Sequence, residues 1–558
     1  MSNILTPATL WSDFDDSLDV SANALRSHIE DGIKYESINL LGRETGKGRV
    51  VIYGVFASNE TSPASETVII FPDSCDGIDE TVLKSFVKRG YSAFMVDYRG
   101  EWEGAEFSTR YPENIDYANT LRCGRFKDYV DESADKTSWY EWVAVGIYAR
   151  KYVIERTGND NIAVVGIRDG GEIAWKIAVA KKFKCIIPVC AAGWLAYSGI
   201  SKFKSDEQKL DTERYRFIAG IDSQAYAPYV QCPVMLLCST NDSRFDYDRA
   251  YDTFSRINTE FAGESVITYS VQSYSTIDKK STTDMYMFLD KYLKNRQVFI
   301  PQPVEVAVSV DEEQNLVANA KFDSQGVVEE FGMYMAEDCI DPVIREWTLC
   351  PSSKVVSEYE RKIYLDIYAE TSTLFVLCFA KYANGFTIWS KMAIKKISGR
   401  FKNNCGKCRV IYSSKNGTSG FFVAGPRSTA VGGVFITDDA LVPHIVTKNK
   451  GINGIYAANG LTTYRINSPR FAPARDNVLK IDVFCDETAE ITFIMEDTSE
   501  GETYKCSQSV LGGVWQSLIL ESKLFKTVNG VQLVDFARNL KFCITCEGKY
   551  AINNVMWL

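Results

Sequence analysis

The stretch NIAVVGIRDGGEIA, residues 161–174, spells a buried strand, a sharp turn and the start of a helix. Four apolar residues run into Gly166, and Gly170 and Gly171 follow after three positions, where a chain reversing from strand to helix needs room for close backbone approach. With serine at the tip, this spacing is the G-x-S-x-G turn, which lifts a nucleophile above the edge of a sheet. Here the tip is Arg168. Its guanidinium stays protonated and offers only donors, so it cannot attack an ester.

Outward from this turn, strands and helices alternate from about residue 35 to 298. Strand patterns fall at 35–41, 49–57, 67–72, 92–98, 161–166, 185–190, 234–239 and 266–271. Helical patterns fall at 80–89, 138–157, 171–182, 213–222, 246–259 and 280–295. This alternation predicts a mostly parallel sheet with helices on both faces. The first two strands, joined by ETGKG, are expected to form an antiparallel hairpin at one edge. Residues 1–34 read as a polar lead-in with a helix-like segment, SANALRSHIEDGI.

Two prolines in QVFIPQP (297–303) mark a linker. Beyond it the pattern turns to short alternating strands. The expected organisation is an α/β domain over 1–298, a small Ig-like β-sandwich over 304–398 and a jelly-roll sandwich over 400–558. Seven basic residues between Lys391 and Arg409 are expected to form a solvated linker between the last two.

The chain has 558 residues, 46% hydrophobic and 13% aromatic, enough for packed cores. A formal charge of −10 with no sustained basic stripe argues against nucleic acid as a partner. The start lacks a basic segment followed by an apolar core, so no signal peptide is expected. The longest apolar stretches, such as TLFVLCFA (373–380), are strand-length, and no membrane span is expected. Fifteen cysteines, many inside apolar strands, read as reduced thiols of a cytoplasmic protein.

With the elbow, TSWYEWVAVGIYARKYV (137–153), PVCAAGW (188–194) and IDSQAYAPYVQCPVMLLCSTNDSRFDYDRAYDTF (221–254) in view, the first 300 residues resemble the α/β-hydrolase superfamily. They are most similar there to acetyl-xylan-esterase and dienelactone-hydrolase-like proteins. The resemblance implies a nucleophile at Arg168, a triad acid at Asp242, and a triad histidine in the loop QSYSTIDKKS, where Tyr274 stands. Two of the three positions therefore lack their chemistry. The chain's only histidines, His28 and His444, do not fit the order nucleophile, acid, histidine. Where such proteins carry an oxyanion loop, this chain reads FPDSCDG (71–77), and Asp73 and Asp76 would oppose a developing oxyanion.

Several residues admit two readings. Asp242 is a relic acid or an ion-pair partner of Arg168. Ser74 and Cys75 are loop residues, or substitute nucleophiles that would need a base. Asp169 beside the elbow and Trp194, ending a loop after a strand, are expected to line the old pocket. Trp139 and Trp142, at helical spacing, are expected in the core. The acids Asp242, Asp246, Asp248 and Asp252 read as a helix N-terminus and not a metal site. Cys405 and Cys408 could pair or bind metal, whereas Cys543 and Cys546 sit at odd spacing in a strand and face apart. No metal or cofactor is expected. Trp515, in GGVWQSLILESKLF, would stack on a sugar if the last domain resembles a carbohydrate-binding module, and is otherwise a sandwich-edge residue.

These readings converge on a catalytically degenerate α/β hydrolase with a carbohydrate-related binding or scaffolding role. The alternatives are an active esterase-like hydrolase of acylated carbohydrate using other residues, and a structural assembly protein.

Overall fold

Short apolar runs rich in β-branched and aromatic residues make the sheet that carries the elbow. In the computed structural model, which describes residues 5–122, 127–203, 210–273, 276–350, 354–423, 435, 442–474, 476–497, 500–537 and 540–558, these strands are β1 (Asn23–Glu30), β2 (Ile33–Glu44), β3 (Arg49–Asn59), β4 (Thr67–Phe71), β5 (Ser92–Asp97), β6 (Ile162–Ile167), β7 (Cys185–Val189), β8 (Met235–Ser239) and β9 (Val266–Ser270). They lie in the order β1-β2-β3-β5-β4-β6-β7-β8-β9. The pairs β1–β2, β2–β3 and β3–β5 are antiparallel, and from β5 to β9 every pair is parallel. Strands β4 to β9 are buried along their whole length, as parallel strands covered on both faces must be.

The step from β4 to β5 runs one way along the sheet, and the steps from β5 through β9 run the other. With right-handed crossovers, the helix Glu80–Lys88 therefore lies on one face, and Ser138–Thr157 and Asp169–Ala180 lie on the opposite face. The helix Lys279–Leu293 joins the first face, where the rings of Phe86 and Tyr286 meet at 5.5 Å. Trp139 and Trp142 are buried against each other in the core. This arrangement fits an α/β hydrolase for the N-terminal half.

Two readings near the N-terminus are corrected. The helix-like segment before residue 34 is strand β1, whose residues are nearly all exposed. Pairing with β2 overrides its local pattern, and Asp31 and Gly32, both at positive φ (49° and 72°), make the tight two-residue turn between the two strands. The β2–β3 hairpin consequently sits one strand in from the edge. The expected helix over 246–259 is also broken, into Tyr247–Phe254 and Thr259–Ala262.

The chain divides into two compact units: Met1–Ser270 with Ser275–Ile300 and Ser428–Phe435, and Val271–Tyr274 with Pro301–Arg427 and Ile436–Leu558. The second unit is built of antiparallel sheets of four, five, six and five strands among the described residues, consistent with β-sandwich architecture. The basic stretch 391–409 is not simply a solvated linker. Ala393–Lys396 pairs with Thr373–Tyr382, the Lys402 amide donates to the Gln314 carbonyl, Asn403 Oδ1 accepts from the Leu316 amide, and Cys405 bridges Tyr368. Among the described residues no helix is long and apolar enough to cross a membrane.

Candidate functional site

The turn between β6 and the helix Asp169–Ala180 has a strained backbone, with Arg168 at its tip. Arg168 caps the helix Asp169–Ala180 at φ 50°, ψ −110°, a conformation costly for a side-chain-bearing residue. Its amide donates to the Val189 carbonyl at 2.8 Å, tying the turn to β7. The glycines are there for space: a Cβ on Gly170 would strike the Phe71 carbonyl oxygen, and one on Gly166 would strike Gly170.

The turn aims Arg168 into the crevice at the carboxyl ends of the strands, and acids from two other strand ends receive it. Its Nη1 donates to Asp73 Oδ2 at 3.3 Å, and Nη2 lies 3.6 Å from Asp242 Oδ2. Asp242 follows β8; its other oxygen accepts the amides of Arg244 and Phe245 at 2.8 and 3.2 Å, fixing the carboxylate. The three side chains are buried: 10% of Arg168 is exposed, against 1% of Asp73 and none of Asp242. An ion pair in such a place survives only if the geometry compensates for desolvation.

Two further cations complete the cluster. Arg244 Nη1 lies 2.6 Å from Asp73 Oδ2, and its Nη2 reaches Asp169 Oδ2 at 3.4 Å. Lys127 Nζ lies 2.6 Å from both Asp169 Oδ2 and Ser74 Oγ, and the Ser74 hydroxyl donates to the same carboxylate oxygen. The crevice is thus filled by alternating cations and anions drawn from the loop after β4, the turn at 168–169, the segment carrying Lys127 and the loop after β8. Sequence reasoning missed Lys127 and Arg244. Arg244 had a signal in its position two residues after the acid, whereas Lys127 lies in a turn-rich segment with no motif.

The chemistry this arrangement permits is narrow. Ser74 touches a lysine, but burial works against the Lys127 charge and Asp169 more than restores it, so the ammonium sits above its ordinary pKa and has no lone pair for the Ser74 proton. Asp169 is pushed up by burial yet held below the usual carboxylate range by Lys127, then Arg244, which makes it a weak base. Cys190, beside the elbow, has its thiol driven well up by burial and by Asp242, the opposite of an activated nucleophile. Burial and neighbouring Asp169 push Asp73 up, against the two guanidiniums. Asp76, raised to about 7 by burial and then by Asp73, has one carboxylate oxygen with no hydrogen-bond partner. An oxyanion developing in this loop would meet acids.

The histidines serve elsewhere. His28 is on β1, stacked on Tyr35 and 3.2 Å from Glu80. His444 belongs to the second unit, with Nδ1 3.1 Å from the Val442 carbonyl oxygen. Tyr274 lies outside the described residues.

Trp194 is bound into the scaffold. Its indole N–H donates to Thr253 Oγ1 at 2.8 Å, and the guanidiniums of Arg249 and Arg256 lie over its ring at 5.5 and 5.2 Å. Asp246 caps the helix Tyr247–Phe254 by accepting the Arg249 amide, so this acidic run starts a helix. No group of three or more potential metal ligands occurs among the described residues. Trp515 is half-buried, 5.6 Å from the Phe484 ring and close over Gly454.

No protein-family model matches the chain, and no curated protein matches it. Solved structures that match part of the chain include an acetyl xylan esterase from Paenibacillus sp. R4, 15% identical over 50% of this chain and 90% of that one, with a TM-score of 0.40. Acetyl xylan esterase 1 from Thermoanaerobacterium sp. JW/SL YS485 is 14% identical over 46% of this chain and 83% of its own, with a TM-score of 0.34. A cold-adapted esterase from an Arctic intertidal metagenomic library is 14% identical over 49% and 99%, with a TM-score of 0.33.

Proposed function

We propose that this chain is a catalytically silent α/β hydrolase whose crevice has become an ion-paired core, and that it serves a carbohydrate-related binding or scaffolding role. One observation carries the first part: the elbow presents Arg168 to Asp73 and Asp242, where a nucleophile would need a free approach and a base. The carbohydrate part is supported by the resemblance of 137–153, 188–194 and 221–254 to acetyl-xylan-esterase-like proteins. A cytoplasmic setting is proposed from the free thiols among the described residues. We further propose three domains at 1–298, 304–398 and 400–558, the last two docked within one unit.

The test is turnover of p-nitrophenyl acetate and of acetylated xylo-oligosaccharide by the purified chain. The reading expects no rate above a denatured control. Saturable turnover lost on changing one crevice residue would overturn it.

A second reading, hydrolysis through Ser74, is favoured by its contacts with Lys127 and Asp169. It requires Ser74→Ala to abolish a measurable rate, whereas catalytic silence expects the variant and the wild type to be alike.

A further inference from the structure

Beside the filled crevice, β1, the first half of β3 and the end of β5 border an open groove of about 420 Å³. Its walls come from Arg26, Tyr53, Cys75, Gly77, Ile78, Asp97, Arg99 and the segment 102–107, which includes Glu103 and Glu106. We propose that this groove binds an anionic sugar, with the anion taken by Arg99 and the ring lying among Trp102, Phe107 and Tyr53. The sugar half of the proposal rests on the carbohydrate reading above.

Arg99 is the reason to expect an anion. The residue is only 6% exposed, yet it belongs to the groove wall. Its Nε and its amide both bond Asp97 Oδ1 at 3.1 Å, and the guanidinium lies over the Trp102 ring at 4.8 Å. One edge and one face of the fork are therefore fixed. A Cβ on Gly77, also in the wall, would lie 3.7 Å from Arg99 Nη2, so the other edge stands at the groove surface. Among the described residues neither terminal nitrogen donates a hydrogen bond. A buried guanidinium with its outer edge unmet is built for a two-oxygen acceptor, a carboxylate or a phosphate.

Asp97 does not compete for that place, because Arg99 and the Thr109 amide, at 2.9 Å from Oδ2, already occupy it. On the opposite wall Arg26 pairs with Glu106 at 2.7 Å and lies 5.6 Å from the Phe107 ring, whose neighbour is Tyr53 at 5.7 Å. Aromatic faces with charged groups at their margins suit a sugar, which offers an apolar C–H face and a rim of hydroxyls. The volume is within the range of small-ligand pockets.

The test is titration of the full chain with glucuronate, glucose 6-phosphate and glucose, read by calorimetry. At least one anionic sugar should bind saturably and at least ten-fold more tightly than glucose; whichever does identifies the anion as carboxylate or phosphate. Arg99→Gln should weaken that binding at least ten-fold, and Trp102→Ala several-fold. Should Arg99→Gln fail to fold, the methyl ester of glucuronate on the wild type replaces it for a carboxylate, and 6-O-methylglucose for a phosphate; loss of binding on capping the anion is then required. Equal binding of charged and neutral sugars, or full affinity in Arg99→Gln, overturns the anion site while leaving the carbohydrate reading standing. No binding of these sugars or of xylo-oligosaccharides overturns both.

Discussion

Arg168, Asp73 and Asp242 share one desolvated charge balance, so neutralising one acid leaves a buried cation short of a partner. Asp242→Asn should destabilise the fold by about 3 kcal/mol in urea unfolding, the low end for breaking a buried pair, because Asp73 remains. In a working esterase that acid would mainly serve catalysis, and an unchanged midpoint would contradict the ion-pair account. Asp76 makes the reverse prediction. Its carboxyl is raised to about 7 by burial and by Asp73, so the folded chain holds a proton that the unfolded chain gives up near pH 4. Its contribution is most favourable in acid and is lost as pH rises through 7. Asp76→Asn should therefore gain stability over the wild type by ~1 kcal/mol or more at pH 8, a gain that shrinks towards pH 4. Arg168 was legible because the glycine spacing places it at the tip of the turn, and Asp242 because the resemblance implies an acid there. Lys127 was not, because a single cation in an irregular segment acquires meaning only when the fold brings Asp169 to it.

The strand–turn–helix element is fixed by backbone clearance. Gly170→Ala would drive a methyl into the Phe71 carbonyl oxygen and should cost about 3 kcal/mol, near the upper end for overpacking. A thermal shift of less than a degree would mean that the turn relaxes freely. The elements of the parallel sheet were legible because the buried strands are mostly apolar runs between turn signals, as at 68–71 and 185–189. Strand β1 was not. Its exposed residues carry no alternation, and its place is set by pairing with β2, with Asp31-Gly32 as the one local clue. The basic stretch 391–409 misled for a related reason: its lysines are solvated, but its backbone bonds are with 314–316, 367–369 and 373–376.

For the molecule as a whole, this docking sets the expected pattern of proteolysis. The buried Glu346–Arg465 pair, 3.5 Å apart, joins segments from both expected sandwiches within the second unit, and the Arg470 side chain donates to the Asp366 carbonyl. Trypsin should accordingly spare the lysines at 395 and 396 until the second unit unfolds, as fragment masses would show; early cuts there would restore the flexible-linker picture. If the crevice is catalytically silent, none of its side chains can be acylated or phosphonylated. The most direct measurement is intact mass after incubation with a serine-directed fluorophosphonate, with Ser74→Ala in parallel. Both proteins should keep an unchanged mass. A single adduct on the wild type that vanishes in Ser74→Ala would contradict catalytic silence.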